Sequence, residues 1–415
     1  MEQLDVLLFA GSLLAVAVWA ALSIFILHVQ RRRFAARAVR SAVASTLQHP
    51  DVGHFSFEER LARVAPLLDT ASRELVMQAA ADTETSDEVF DPLSLYLLHR
   101  WGVDILVRDA GSHKGSRGKW RRMAALRILC KLRDPRTLDL LTRAVDEIDP
   151  EVASVALSLL GSSNDPRAID ILIGGLKRQR HPPSRIAVQL ERCRGPVADR
   201  LRPLLGDADP VVRFWAATLL GRYDNIPTLE EDLEPLADDV EPRVRKAAVE
   251  TLGKIGGERA AAIAGRLIRD PAPFVRAQAA RALGELDRTD RAADVASLLG
   301  DADWWVRLAA RESLERMGSE VWPVLVRCLE DPDRFVRNGA AEVFQNLGIL
   351  DNLIVMEAEA DDPADARIAM LRRIAAAGEV RLTDALIDRA GPGVGPRIRR
   401  LLARIGLDHA GAARR

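Results

Sequence analysis

The strongest constraint on this chain is a frame that returns about every 31 residues. Val-Arg pairs end at Arg213, Arg245, Arg276, Arg307 and Arg337, and these arginines stand 32, 31, 31 and 30 residues apart. An aspartate lies six residues before each one: Asp207, Asp239, Asp270, Asp301 and Asp331. Small or apolar residues follow three, seven and ten places on, as Ala216, Leu220 and Tyr223 in one copy and Ala340, Phe344 and Leu347 in another. Counted from the valine, steps of four, four and three trace one face of an α-helix. The frame predicts two helices per unit, for example 227–237 and 242–253, with glycines 221, 253 and 284 ending the second helix in the left-handed conformation. A fixed period of this length predicts an all-α, right-handed solenoid of about ten stacked helix pairs.

Ala247-Ala248, Ala279-Ala280, Ala309-Ala310 and Ala340-Ala341 follow the arginines, and Leu252-Gly253, Leu283-Gly284 and Met317-Gly318 follow those. This succession resembles the HEAT-like repeats of the phycobilisome-lyase type. Weaker copies flank the five strong ones. Arg122 opens one with Ala125 and Leu129, Asp149-Pro150 and Pro182-Pro183 lead two more, and Asp361, Arg367 and Arg397 keep the step beyond Arg337. The expected domains are an anchor at 1–29, a juxtamembrane helix with capping helices at 30–119, the repeats at 120–350 and degraded capping repeats at 351–415.

The anchor rests on Val6–Val29, which contains no Asp, Glu, Lys or Arg. As a helix it would reach about 36 Å, enough to cross a bilayer with tilt. The acidic start (Glu2, Asp5), the long apolar run and Arg31, Arg32 and Arg33 directly after it argue against a cleaved leader. Basic residues only on the far side predict a single-pass cell-membrane protein, amino terminus outside and repeats in the cytoplasm.

Of the 415 residues 48% are hydrophobic and 29% charged, with a formal net charge of −1. That balance gives no basic stripe for nucleic acid. Cys130, Cys193 and Cys328 are far apart and odd in number, which reads as small apolar residues in a reducing compartment. The histidines have no ligand spacing, Asp301-Ala-Asp303 and Asp207-Ala-Asp209 follow from the repeat frame, and there is no Gly-x-Ser-x-Gly elbow. Gly111–Lys119 lacks phosphate-loop spacing and reads as a flexible basic loop. No catalytic, metal or cofactor-binding residue is expected, and the chain is not expected to be an enzyme.

The Asp and Arg columns read as a structural ladder, each Arg bonding to the neighbouring repeat's Asp or carbonyls. A partner surface is expected at Trp215, Phe274, Trp304, Trp305, Arg334 and Phe335, since Phe274, Trp305 and Phe335 stand two places before successive ladder arginines. The competing reading is that these rings fill gaps between repeats. Trp304–Arg307 with Asp333–Gly348 also resembles bacterial membrane-anchored HEAT proteins associated with membrane-embedded glycosyltransferases of exopolysaccharide systems. The resemblances imply two functions: a membrane-tethered scaffold for a protein partner such as that transferase, or a bilin lyase or isomerase.

Overall fold

The computed structural model describes residues 19, 23, 26, 27, 30, 31, 33–46, 56–84, 90–112, 115–147, 149–223, 226–359, 365–377 and 391–405. Among the described residues the regular structure is helical throughout, with no strand. Most of the proposed anchor, together with Arg32 and Asp361, lies outside them; Arg31 and Arg33 are exposed. No helix of the described residues is long and apolar enough to cross a membrane.

The chain forms two compact units, 1–197 and 198–415. The division falls within the stretch 120–350 that the periodicity reads as one array.

The first unit begins with α1 (33–46), α2 (Phe57–Leu68), α3 (Arg73–Asp82), α4 (Phe90–Trp101) and α5 (Val103–Ala110). It continues through α6 (Gly115–Leu132), α7 (Thr137–Val145), α8 (Pro150–Gly161), α9 (Pro166–Arg178) and α10 (Pro183–Arg192). Helix α2 opens on a capping box, in which the Ser56 amide donates to Glu59 Oε2 at 2.6 Å and the Glu59 amide to Ser56 Oγ at 3.4 Å. The basic segment read as a loop is helical from Gly115 onward. The Lys119 ammonium there bridges Asp149 at 3.2 Å and Glu151 at 2.9 Å, tying the first turns of α6 to the start of α8.

The division falls after the first residue of α11 (Val197–Leu201), and the second unit goes on with α12 (Pro210–Leu220), α13 (Leu229–Leu233), α14 (Pro242–Ile255), α15 (Glu258–Leu267) and α16 (Pro273–Glu285). After these come α17 (Ala292–Ser297), α18 (Trp304–Arg316), α19 (Trp322–Cys328), α20 (Arg334–Asn346), α21 (Ile349–Glu359), α22 (Asp365–Ala377) and α23 (Gly391–Ile405). The repeat columns become its core. Ala216, Ala248, Ala279, Ala310 and Ala340, with Leu220, Leu252, Leu283, Leu314 and Phe344, are all fully buried. The column ten places after the arginine is mixed, since the helices end at or before that position: Ile255 is 38% exposed while Met317 is buried.

The first helices of the repeats are shorter than 227–237 suggests. After α13 the chain tightens into a 3₁₀ turn at Glu234–Asp238, where Pro235 supplies no amide for an α-helical bond. The same tightening follows α11 at Arg202–Gly206 and α17 at Leu298–Gly300.

The glycines do something other than end helices in the left-handed region. Gly221 has φ −67°, and Gly253 and Gly284 sit inside α14 and α16. A Cβ on Gly253 would meet the Ala282 Cβ at 3.0 Å, and one on Gly284 the Ser313 Cβ at 2.9 Å. These glycines let successive second helices press together backbone to backbone.

Candidate functional site

The Asp and Arg columns meet in space. Arg213 donates from Nε and Nη2 to the Asp239 carboxylate at 2.7 and 2.9 Å. Arg245 grips Asp270 at 2.7 and 2.8 Å, and Arg276 grips Asp301 at the same two distances. Each arginine also donates from Nη1 to the carbonyl of its own repeat's aspartate: Asp207, Asp239 and Asp270, at 2.7–2.8 Å. The two-pronged contact is the geometry in which guanidinium and carboxylate bind best.

Each carboxylate also orders its own turn, since Asp239, Asp270, Asp301 and Asp331 accept the amide two residues on at 2.8–2.9 Å. A second acid then caps the helix: Asp209, Asp303 and Asp333 accept the amides of Val211, Trp305 and Phe335, each at 2.8 Å. The Asp-x-Asp spacing therefore serves turn and cap. Burial pushes the Asp239 and Asp301 carboxyls up, but the arginine forks and turn amides outweigh it, leaving both below the usual aspartate value. Their partners Arg213 and Arg276 are raised by the same hydrogen bonds.

The periodicity missed one rung and predicted one that does not form. Arg122, 5% exposed, pairs through both Nη atoms with Glu147, 25 residues on, and donates from Nε to the Ala110 carbonyl at 3.2 Å. Glu147 holds the ladder position with one more methylene, and the shared 25-residue separation is the signal that would have found it. Arg307, in contrast, does not pair with Asp331. Its Nη1 donates to the Asp301 carbonyl at 2.7 Å, and its guanidinium lies over the Phe335 ring, 4.6 Å from the centroid. Arg337 donates to the Asp331 carbonyl at 2.7 Å; the aspartate one step further, Asp361, is outside the described residues.

Four of the five candidate rings are exposed rather than filling gaps between repeats. Phe274 is 44% exposed, Trp304 51%, Trp305 62% and Phe335 42%. All occupy the first turns of α16, α18 and α20, so the second helices carry them along one edge of the second unit. Trp304 and Trp305 meet edge-on with centroids 4.7 Å apart, and Arg334 lies 4.9 Å over Phe335. Trp215 is not part of this edge. It sits a turn deeper in α12, half-buried and edge-on to Phe214 at 5.2 Å.

The first unit has an open groove of about 440 Å³, with Trp120, Met123, Arg127 and Arg185 in its lining. The three cysteines are free and half-buried, and burial pushes their thiols up, Cys130 to about 11. Among the described residues no group of three His, Cys, Asp or Glu could hold a metal ion.

No curated protein matches this sequence. The chain is similar to a solved engineered protein at 18% identity, covering 85% of this chain and 99% of that one with a TM-score of 0.31. Human deoxyhypusine hydroxylase in complex with glycerol is similar at 19% identity, covering 62% of this chain and 99% of that one with a TM-score of 0.26. Kap121p bound to Pho4p is similar at 14% identity over 88% of this chain and 47% of that one, with a TM-score of 0.47, so this chain spans about half its length. The family model for HEAT repeats matches residues 116–190, 198–272 and 262–345. More than half of the 415 residues fall within those matches, where paired helices repeat with buried alanines and leucines, and the chain belongs to the HEAT-repeat family.

Proposed function

We propose that this chain is a non-catalytic scaffold that docks a protein partner on the aromatic edge of its second unit. The row of Phe274, Trp304, Trp305 and Phe335 carries this reading, because four large rings held in water along one edge are costly unless something covers them. Aromatic and arginine side chains are also the residues that most often dominate binding energy at protein interfaces.

The charge-free stretch Val6–Val29 followed by Arg31, Arg32 and Arg33 supports a tether, with the repeats on the cytoplasmic face of the membrane. Tethering raises the effective concentration of the scaffold near membrane partners. The resemblance of residues 304–348 to HEAT proteins of exopolysaccharide systems makes a membrane-embedded glycosyltransferase the proposed partner.

The test places a photo-crosslinking amino acid at Trp305 in the full chain, irradiates cells and identifies the adduct by mass spectrometry. A membrane glycosyltransferase in the adduct is the expected result. Soluble proteins alone would overturn the partner assignment. Undiminished capture from a folded chain with Trp304, Phe274 and Phe335 all replaced by Ala would overturn the docking edge.

A further inference from the structure

Three ladder arginines use their guanidinium fully. In Arg213, Arg245 and Arg276, Nε and Nη2 hold the next aspartate while Nη1 holds a carbonyl. Arg307 keeps only the second half of that arrangement. Its Nη1 donates to the carbonyls of Asp301 and Ala302 at 2.7 and 3.0 Å, and its Nε–Nη2 edge meets no carboxylate among the described residues. Asp331, which would complete the rung, accepts the Asp333 amide at 2.8 Å as the other ladder aspartates accept theirs, but its carboxylate takes no arginine among the described residues.

A second cation stands at the same place. Arg334 makes no ion pair among the described residues and lies over the same Phe335 ring as Arg307. Two guanidinium groups thus share one exposed ring, at 4.6 and 4.9 Å, and Trp304 and Trp305 open the helix that carries Arg307. The ring favours the cations over its face, and their planar N–H edges are left to donate.

We propose that this open rung receives a carboxylate side chain of a partner protein, flanked by an apolar side chain that packs on Trp305 and Phe335. The inference rests on the docking reading above and names the chemistry the edge selects. Charge favours a lone carboxylate over a nucleic acid. Asp303, Asp331 and Asp333 stand in the same turns with no ion pair among the described residues, while Asp301 is held by Arg276, so a phosphate backbone along this edge would meet three uncompensated carboxylates beside the two cations. A single Glu or Asp between apolar neighbours brings one negative charge to the two cations and so meets less of that repulsion than a chain of phosphates.

The test probes the full chain, in mild detergent, with an array of short peptides. Each carries a central Glu, Asp, Gln or Asn between Leu, Phe, Trp or Ser, and a thymidine oligonucleotide serves as a second probe. The expected result is binding of Glu or Asp peptides with Leu, Phe or Trp flanks, weakened about tenfold or more by the Gln or Asn twin. Arg307→Gln should produce the same loss, and Arg334→Gln, on an exposed side chain with no ion pair among the described residues, keeps the test valid if Arg307→Gln misfolds. Equal binding of acid and amide peptides, with both lost in Trp305→Ala, would overturn the carboxylate inference and leave the docking edge standing. Peptide binding that ignores Trp305→Ala would overturn both. Oligonucleotide binding that falls with the same arginine substitutions would overturn the proposal in favour of a phosphate ligand.

Discussion

Asp270 shows how much one ladder residue carries. Its carboxylate takes the Arg245 fork and the Ala272 amide, its carbonyl takes Arg276, and its side chain is only 3% exposed. Asp270→Ala leaves a buried guanidinium without its counter-charge and should cost about 3 kcal/mol in urea unfolding. Asp331→Ala is the internal control. It loses only the turn bond to Asp333 and should cost about 1 kcal/mol. The pH dependence follows from the same pairs. Asp239 and Asp301 sit below the ordinary aspartate value of 3.8, so the folded chain binds their protons less readily than the unfolded chain does. Their contribution is complete above about pH 4 and is lost as pH falls through the folded-state values. Asp239→Asn should flatten the decline in the urea midpoint on acidification relative to the parent chain. The ladder columns were legible because spacing alone aligned them. The open rung was not, because Asp331 and Arg337 keep the frame intact. Only the shortened separation, 24 residues from Arg307 to Asp331 against 25 from Arg276 to Asp301, hinted at it.

At the scale of elements, the second helices are close-packed through glycine and alanine. Gly284→Ala would force a Cβ against the Ser313 Cα and Cβ at 3.0 and 2.9 Å, so α16 and α18 must separate. The expected cost is about 1–3 kcal/mol, seen as a lower midpoint of thermal unfolding without loss of helical circular dichroism. Gly206→Ala, with nothing within 4 Å of the added carbon, should leave the midpoint nearly unchanged. The buried face of these helices was readable from the positions three and seven after each arginine. The role of Gly253 and Gly284 was not, since a glycine near a helix end and one at a helix crossing look alike in one dimension. The same limit applied to the rings. Spacing puts Trp215 and Trp305 on second helices, but only the first-turn position of Trp305 takes it out into solvent.

At the scale of the molecule, the second unit is a sequence of nearest-neighbour interfaces: α12 packs on α14, α14 on α16, α16 on α18 and α18 on α20. Such an array loses its ends before its middle. Hydrogen exchange should therefore be slowest in α14 and α16, each with a neighbour on both sides, and faster in α22 and α23; uniform protection across the unit would contradict this. The ladder has a further consequence for lineages of such chains. Every rung joins the arginine of one copy to the acid of the next, so each copy ends in the same two half-joints. Excising residues 246–276 would bring Asp301 to 25 residues beyond Arg245, the separation Asp270 now has. Gene recombination between copies can thus lengthen or shorten the array in whole units without inventing a new interface.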